Sequence, residues 1–279
     1  MRVTVFTHRR PEDTRDAGGL LHRLAGEYGV ELCLDGEEVS KHGAGDPQSV
    51  RRDVDLCLVL GGDGTILHAL RTYARTGVPV FGINYGEVGF LAAVDRDDVE
   101  GALRRALSGD FERLQLPGVE VDGVTPGGPW TAINDVSLHR RPGLRVAELA
   151  YRVGDEEIGQ VRCDGLVVAT PAGSTGYNLA NGGPVMAWGV KGYVVSFIAP
   201  HSLTARALVV APDDCLTVLN RSRDEPVDVT VDGRPVCELA ADADISARFV
   251  EDVGTLAQVP GASFYNRLRV KFGRLATGV

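Results

Sequence analysis

The first third of the chain alternates short apolar runs with segments whose apolar residues recur at helical spacing. The apolar runs cover residues 3–6, 30–34, 54–60 and 78–83, which are lengths typical of strands. Three helices are predicted from the helical segments, and each ends near a glycine: Gly29, Gly77 or Gly109. Asp13 or Thr14 is the predicted N-cap of the first, and Asp97 or Asp98 that of the third. This alternation predicts an α/β N-terminal domain with a mostly parallel sheet.

From about residue 113 the pattern changes to short apolar or alternating runs with almost no helical periodicity. The runs predict strands over residues 119–121, 132–138, 146–153, 166–169, 193–198, 208–210, 216–219 and 227–231. Gly154-Asp155 and Asp232-Gly233 are typical of hairpin turns. We therefore predict an α/β domain over residues 1–112 and a β-rich domain over 113–251, with the tail, 252–279, packing back on the first.

Composition and charge argue against a protein that binds nucleic acid or a membrane surface. The chain has 279 residues, 44% of them hydrophobic and 24% charged, which is typical of a globular protein. Its net charge is −9, and it has no basic segment of the kind that binds nucleic acid or a membrane surface. The first residues lack a targeting signal, no apolar stretch reaches the length of a membrane span, and the 5 cysteines are widely separated. We therefore expect a cytoplasmic protein.

The strongest chemical signal is the sequence GGDGT at residues 61–65, between an apolar run and a predicted helix. An isolated Asp-Gly pair is usually a tight turn, but a hairpin turn would be followed by a strand rather than a helix. The glycines let backbone N–H groups approach an anion at the helix N-terminus. The carboxylate of Asp63 would repel a phosphate, unless it binds a metal or accepts a proton. The segment therefore predicts a phosphate site in which Asp63 has a chemical role.

A second polar segment, DGLVVATPAGSTGYNLA at residues 164–180, begins with an apolar strand. It is either a solvated Ser/Gly loop or a rigid strand that delivers many hydrogen-bonding groups to one ligand site. Because an apolar strand leads directly into this loop, we favour the ligand site.

A third signal is Asn134-Asp135, which interrupts the apolar run 132–138. The pair is either a bulge or a turn, or it binds a base edge or a ribose diol through hydrogen bonds. A weaker signal follows the strand predicted over 78–83, where residues 84–91 are either a plain loop or a segment whose Phe90 stacks on a base.

Several common motifs are absent from the sequence. It contains no GxxxxGK[ST] or GxGxxG, which argues against a P-loop enzyme and the usual dinucleotide fingerprint, and no HExxH or GxSxG. The 6 histidines show no metal-ligand spacing. Among them only His68, one helical turn after Gly64, is expected near the predicted site.

The GGDGT turn, the Asn134-Asp135 pair and the segment 164–180 occur in the order typical of the NAD kinase family. The chain resembles that family over about residues 55–233. The combination is specific, whereas GGDGT alone is similar to motifs of lipid kinases and phosphofructokinases. The resemblance implies transfer of the terminal phosphoryl group of ATP or polyphosphate to the 2′-hydroxyl of the adenosine ribose of NAD. It also implies Mg²⁺ or another divalent cation held mainly by the phosphates, with no metal site of protein ligands, and a homodimer or homotetramer.

The resemblance also assigns roles residue by residue. It makes Asp63 the general base, with Asn134 and Asp135 at the ribose, Asp164 at the nicotinamide end and residues 175–180 at the adenosine. Together with Phe90 from the loop after residues 78–83, the predicted substrate-binding residues are Gly64, His68, Asn134, Asp135, Arg145, Arg162, Asp164, Thr175, Gly176, Tyr177, Asn178, Leu179, Ala180 and Arg234. The implied phosphate-binding residues are Gly61, Gly62 and Thr65.

Two residues depart from the family pattern. Gly176 stands where alanine is usual, and Arg234 stands where glutamine is common. Two alternative functions stay open at this point. One is a GGDGT kinase acting on a lipid or sphingoid alcohol, which would need an apolar acceptor cleft. The other is a non-catalytic NAD(H)-binding regulator.

Overall fold

A computed structural model describes residues 1–8, 10–34, 38, 53–87, 89–123 and 128–273. Its contacts divide the chain into two compact units. Unit 1 comprises the described residues of Met1–Gln115 and Gly254–Val279, and unit 2 comprises those of Leu116–Val253. No helix in these described ranges is both long enough and apolar enough to cross a membrane.

The described helices are α1 (Arg15–Tyr28), α2 (Asp63–Thr72), α3 (Val99–Ser108), α4 (Tyr177–Ala180) and α5 (Phe264–Phe272). The strands up to residue 140 are β1 (Arg2–Thr7), β2 (Glu31–Cys33), β3 (Leu56–Gly61), β4 (Pro79–Asn84), β5 (Val94–Asp95), β6 (Glu112–Asp122), β7 (Trp130–Ala132) and β8 (Asp135–Arg140). The later strands are β9 (Ala147–Val153), β10 (Glu156–Cys163), β11 (Gly165–Ala169), β12 (Tyr193–Ile198), β13 (Leu208–Val210), β14 (Leu216–Asn220), β15 (Val227–Val231), β16 (Arg234–Leu239) and β17 (Asp244–Gln258).

Unit 1 is built on a parallel sheet. Strands β2, β1, β3 and β4 lie side by side in that order, and the end of β17 pairs in parallel with β4. Strands β3 and β4 are buried along their whole length, which is expected of parallel strands covered on both faces. Helices α1 and α3 pack against each other. The predicted α/β domain with a mostly parallel sheet is confirmed.

The helix ends follow the sequence signals in two cases and depart from them in one. Helix α1 ends before Gly29, whose backbone is left-handed, and the Asp98 side chain caps α3. Helix α2 is shorter than predicted, because it ends at Thr72 rather than near Gly77. Arg75, at a φ of 60°, already has a left-handed backbone, which is incompatible with a continuing helix.

Unit 2 consists almost entirely of antiparallel strands. One sheet has the order β13-β12-β11-β8-β15-β16. In the other set, β9 pairs with both β10 and β14, the first part of β17 pairs with β14, and β6 pairs with β7. Buried side chains of both sets form one core that includes Leu138, Leu149, Tyr193 and Val229. The predicted β-rich domain is confirmed.

Several strands of unit 2 differ from the prediction. The strand predicted over 132–138 is two strands, β7 and β8, separated by a bend at Ile133 and Asn134. Strands β10, β16 and β17 were not predicted, because polar residues on their solvent side obscure the apolar alternation. Both predicted hairpin turns are confirmed, at Gly154-Asp155 and Asp232-Gly233. Between β2 and β3, residues 35–52 lie outside the described residues, except for Glu38.

Candidate functional site

The glycine turn of unit 1 joins the buried strand β3 to helix α2. A Cβ atom on Gly61 would lie 2.7 Å from Thr65 Oγ1, and one on Gly62 would lie 3.2 Å from Gly86 Cα. These two glycines are therefore required by packing, since side chains would separate the turn from its neighbours. Gly64 is exposed, and a Cβ there would meet nothing within 4 Å. Only the third glycine leaves open space at the start of α2.

The Asp63 side chain is fixed by the backbone of a neighbouring turn rather than by its own helix. Its Oδ2 accepts the N–H of Phe90 and its Oδ1 accepts the N–H of Leu91, each at 2.8 Å. The N-cap residue of α2 is Gly62, which has no side chain to cap the helix, and the N–H groups of Thr65 and Ile66 donate to its carbonyl. The N–H groups before them, at the first turn of the helix, suit an anion. Each carboxylate oxygen has a second lone pair, so Asp63 can still accept a proton from a ligand.

Phe90 does not have the predicted role of stacking on a base. Its side chain is only 3% exposed, and its ring packs against Phe264 at 5.7 Å and Phe272 at 5.9 Å between centroids. The sequence-based interpretation of this aromatic ring was therefore wrong. Phe90 contributes through its backbone N–H, which binds Asp63.

His68 lies one turn along α2 from Gly64 and is half-buried. Its ring makes an edge contact with Phe6, with 5.4 Å between the ring centroids.

The segment that follows β4 lines a cavity of about 1050 Å³ in unit 1. Its other lining residues include His8, Arg10, Arg96 and Lys271.

In unit 2, the Asp232 carboxylate holds the Asn134-Asp135 pair in a turn. It accepts the backbone N–H groups of Ile133 at 3.1 Å, Asn134 at 2.7 Å and Asp135 at 3.2 Å. The Asp232 N–H in turn donates to the Asp135 carbonyl at 2.8 Å. The hairpin turn between β15 and β16 therefore determines the backbone of the predicted ribose-binding pair.

The segment after β11 holds the same turn through other groups. The Thr170 hydroxyl donates to the Ile133 carbonyl at 2.6 Å, and the Thr170 N–H donates to the Asn134 carbonyl at 2.9 Å. Gly173 lies so close that an added Cβ would be 2.0 Å from the Asn134 oxygen. The structure therefore brings together two predicted groups, Asn134-Asp135 and the segment 164–180.

Most hydroxyl and amide side chains of that segment form hydrogen bonds to backbone groups of the segment or of residues beside it. The fully buried Ser174 hydroxyl donates to the Pro171 carbonyl at 2.7 Å and accepts the Met186 N–H at 2.9 Å. The fully buried Asn178 amide donates to the carbonyls of Ser174 and Pro184. The loop is therefore not a solvated one, and Asn178 shapes it from within rather than presenting its side chain at the surface.

The Asn134-Asp135 pair carries one buried oxygen without a hydrogen-bond partner among the described residues and one carboxyl group with a raised pKa. The Asn134 Oδ1 atom is buried and has no hydrogen-bond donor among the described residues. Burial, together with the negative charge of Asp232, raises the pKa of Asp135 from 3.8 to about 7. A ligand that donates hydrogen bonds here would satisfy the amide oxygen and stabilise the carboxylate.

The raised pKa of Asp135 predicts a pH-dependent stability. The folded chain binds this proton more tightly than the unfolded chain, so the free energy of unfolding falls as the pH rises from about 4 to about 7. We expect Asp135→Asn to gain about 1–3 kcal/mol over the wild type between about pH 5 and about pH 8. Urea unfolding of both proteins at the two pH values measures this gain.

Asp155→Asn is the matched control for this prediction, because Asp155 is exposed in the turn between β9 and β10. Its difference from the wild type should be the same at both pH values. An equally constant difference for Asp135→Asn would contradict the prediction.

Tyr177 is near enough to Asp135 and Asp164 for the charges of both carboxylates to act on it. The Tyr177 ring stacks on His139, with 5.6 Å between centroids and 14° between planes. Burial and the charges of Asp135 and Asp164 raise the pKa of Tyr177. Asp164 accepts a hydrogen bond from Arg140 Nε at 2.5 Å, and this bond lowers its pKa.

Arg145 and Arg162 are brought together by the structure. Both are exposed and line a cavity of about 320 Å³ in unit 2, together with Arg223, Glu148 and Glu225. Three guanidinium groups around one cavity favour an anionic ligand.

The remaining predicted residues occupy less informative positions. Thr175 is half-buried and donates to the Ala172 carbonyl at 3.3 Å. Gly176 and Ala180 are exposed, and Leu179 is half-buried. Arg234 is exposed as the first residue of β16.

Among the described residues, no group of three or more His, Cys, Asp or Glu side chains is arranged to hold a metal ion.

Comparison with known families decides the family of this chain. Residues 19–111 match the model of the ATP-NAD kinase N-terminal domain, and residues 133–250 match that of the ATP-NAD kinase C-terminal domain. This chain belongs to the NAD kinase family. The NAD kinase of Gemmatimonas aurantiaca is 34% identical to it over 277 residues, which cover 98% of this chain and 96% of that protein. The resemblance inferred from the polar segments is confirmed.

Solved structures of NAD kinases share the fold. Yeast NADH kinase complexed with NADH matches with a TM-score of 0.84 at 21% identity, over 100% of this chain and 89% of that one. An NAD kinase from Archaeoglobus fulgidus in complex with ATP matches with a TM-score of 0.75 at 26% identity, over 99% of each chain.

Several residues of the NAD kinase fold described above were not predicted from the sequence. Asp232 was identified only as part of a hairpin turn, and Thr170 only as part of a loop. His139 and Arg140 gave no signal, because each is one polar residue at the end of a strand. The Asp-Gly pair predicted the turn at Asp232, whose φ is positive. It did not predict the role of the carboxylate, because the three backbone N–H groups that it binds lie about a hundred residues away in the sequence.

Proposed function

We propose that this chain transfers the terminal phosphoryl group of ATP to the 2′-hydroxyl of the adenosine ribose of NAD, giving NADP. The observation that carries the proposal is the Asp63 carboxylate, fixed by two backbone N–H groups beside the open start of α2. The family membership and the ATP complex of the Archaeoglobus fulgidus relative support the choice of substrates.

In the proposed step, Asp63 accepts the proton of the 2′-hydroxyl while that oxygen attacks the terminal phosphorus. A new O–P bond forms, the bond from that phosphorus to the bridging oxygen breaks, and ADP leaves with the electron pair. Phosphoryl transfer depends mainly on alignment and on neutralisation of the developing charge. A carboxylate that is held at both oxygens keeps its direction, which is what a general base requires.

The start of α2 suits the phosphates of the donor. The N-cap residue of this 10-residue helix, Gly62, has no capping side chain, and the helix dipole favours negative charge there. We propose that Mg²⁺ or another divalent cation arrives with the donor, held by phosphate oxygens and water. It would supply neutralisation of phosphate charge.

Unit 2 supplies the groups proposed to recognise NAD. The buried Asn134 Oδ1 and the Asp135 carboxyl suit the hydrogen-bond donors of a ribose or an adenine. Tyr177 offers a ring face for stacking, and Asp164 is proposed to bind the nicotinamide end. Arg145 and Arg162 are proposed to contact the anionic groups of NAD.

One assay tests the function against its alternatives. The purified chain is incubated with ATP or polyphosphate, Mg²⁺, and either NAD or NADH, and the phosphorylated product is quantified by chromatography. Diacylglycerol and sphingosine serve as alternative acceptors in parallel reactions. NADP or NADPH formation supports the proposal. Phosphorylation of a lipid alcohol alone, or binding of NAD with no turnover, would favour one of the two alternatives.

We also propose a homo-oligomer in the cytoplasm. None of the 5 cysteines, all of which lie in the described ranges, forms a disulfide, and three of them are buried, which suits a reducing compartment. Strand β13 lies at the edge of its sheet, where Val209 is 51% exposed, and Leu203 in the preceding loop is 94% exposed. An edge strand that has no second neighbour among the described residues, with exposed apolar side chains beside it, suits contact with a second copy of this chain.

Leu203→Glu is expected to lower the mass of the assembly, because a buried charge at a contact between copies is strongly unfavourable. Light scattering during size exclusion measures the mass. Ile158→Glu is the matched control, since Ile158 is 46% exposed in another edge strand, β10. A dimer or tetramer that survives Leu203→Glu but dissociates with Ile158→Glu would place the contact elsewhere.

A further inference from the structure

The turn that holds Asp63 is itself held by the C-terminal helix of unit 1. Arg267 of α5 donates through Nη1 to the carbonyl of Phe90 at 2.6 Å and to the carbonyl of Ala92. Its Nη2 donates to Gln258 Oε1 at 2.5 Å. One guanidinium group therefore binds three acceptors. One of them, the Phe90 carbonyl, belongs to the peptide group whose N–H, that of Leu91, donates to Asp63.

The two sets of hydrogen bonds lie on opposite sides of the same short stretch of backbone. The N–H groups of Phe90 and Leu91 point to Asp63, while the carbonyls of Phe90 and Ala92 point to Arg267. Because a peptide group is planar, fixing the Phe90 carbonyl also fixes the direction of the Leu91 N–H, which belongs to the same peptide group. The bond to the Ala92 carbonyl holds the backbone two residues further on. The rigid fork of a guanidinium group can bind several carbonyls at once, which a lysine ammonium cannot do with the same geometry.

Packing and charge reinforce this arrangement. Phe264 and Phe272, at the two ends of α5, enclose the buried Phe90 ring. Burial lowers the pKa of Arg267, and the negative charges of Asp63 and Asp95 oppose that shift. The carboxylate of Asp63 is therefore close enough for its charge to act on the guanidinium.

We infer that Arg267 is a positioning residue for the proposed reaction, which orients the Asp63 carboxylate through the backbone of residues 90–92. The inference rests on the proposed function, because it requires Asp63 to be the general base. It gives the C-terminal helix a part in the chemistry through the backbone of residues 90–92.

Kinetics of the full-length chain test this inference. We expect Arg267→Ala to lower kcat for NAD phosphorylation by about 10–100-fold, since a misplaced catalytic group can cost about 10²-fold. The KM for NAD should change by less than about threefold, because the proposed NAD contacts belong to other residues. Arg267→Lys should recover only part of the loss, since it keeps the charge but not the fork.

Arg269→Ala is the matched control on the same helix. Arg269 is exposed, and its guanidinium donates to Asn266 one turn earlier in α5. Its kcat should stay within about twofold of the wild type. Thermal unfolding of every variant shows whether it is folded at the assay temperature, and if Arg267→Ala is not, Arg267→Lys replaces it.

A double-mutant cycle separates positioning of Asp63 from a general structural effect. In the Asp63→Asn background, Arg267→Ala should lower the residual kcat by less than about twofold, because no base remains to be oriented. An equal fold loss in both backgrounds, or a kcat within threefold of the wild type for Arg267→Ala, would overturn the inference. Normal turnover by Asp63→Asn would instead remove the base role in the proposed function, so the two failures are distinguishable.

Discussion

Replacing Asp63 with asparagine is expected to lower kcat for NAD phosphorylation by about 10²–10⁴-fold, the usual contribution of a general base. An amide cannot accept the proton of the 2′-hydroxyl. Its NH₂ group also cannot accept the second of the two backbone N–H groups that bind the carboxylate. NAD affinity should change little, because this residue acts on the hydroxyl in the transition state rather than on bound NAD.

Steady-state kinetics and equilibrium binding of NAD measure the two quantities separately. Asp16→Asn is the control, because Asp16 is an exposed aspartate in the first turn of α1, another helix of unit 1. Loss of a buried hydrogen bond costs about 1–3 kcal/mol, so the thermal midpoint of Asp63→Asn should also be measured. Near-normal turnover by a folded Asp63→Asn protein would remove the base role.

Replacing Gly173 with alanine is expected to weaken NAD binding by at least about tenfold and to destabilise unit 2 by about 1–3 kcal/mol. The added Cβ would lie 2.0 Å from the Asn134 carbonyl oxygen, a distance at which the backbone must move. Movement of that backbone disturbs the proposed ribose-binding pair directly, because Asn134 and Asp135 share the turn.

Gly189→Ala is the matched control for the second prediction. A Cβ at Gly189 would meet nothing within 4 Å, and this glycine also belongs to unit 2. Calorimetric titration with NAD and urea unfolding should show it close to the wild type. A Gly173→Ala protein that binds NAD with unchanged affinity would show that the turn at Asn134 is not part of the binding site.

The site illustrates which residues a sequence can reveal and which it cannot. The GGDGT turn was recognisable because its glycines and its carboxylate are adjacent in the chain and lie between a strand and a helix. Phe90 was misinterpreted, because an aromatic residue in a loop looks the same in sequence whether its ring is exposed or buried. Its partners, Phe264 and Phe272, lie more than 170 residues away.

The same reasoning applies to the polar loop after β11. Its serine, threonine and asparagine residues predicted a ligand site rich in hydrogen-bonding groups, and the structure uses Thr170, Ser174 and Asn178 to hold the loop and the Asn134 turn. Only the partner of each polar group distinguishes a binding residue from one that supports it. Those partners are long-range contacts, which no local pattern specifies.

By itself, the sequence determined the α/β and β-rich halves, most helix and strand positions, the two hairpin turns and the identity of the carboxylate proposed as the base. These features depend on local periodicity, on turn-forming residues and on the neighbours of one short motif. Only the tertiary structure decided that Asp232 and Thr170 shape the Asn134-Asp135 turn and that Arg267 supports the backbone around Asp63. Those contacts join residues far apart in the chain, and their geometry arises only when the strands and helices have packed.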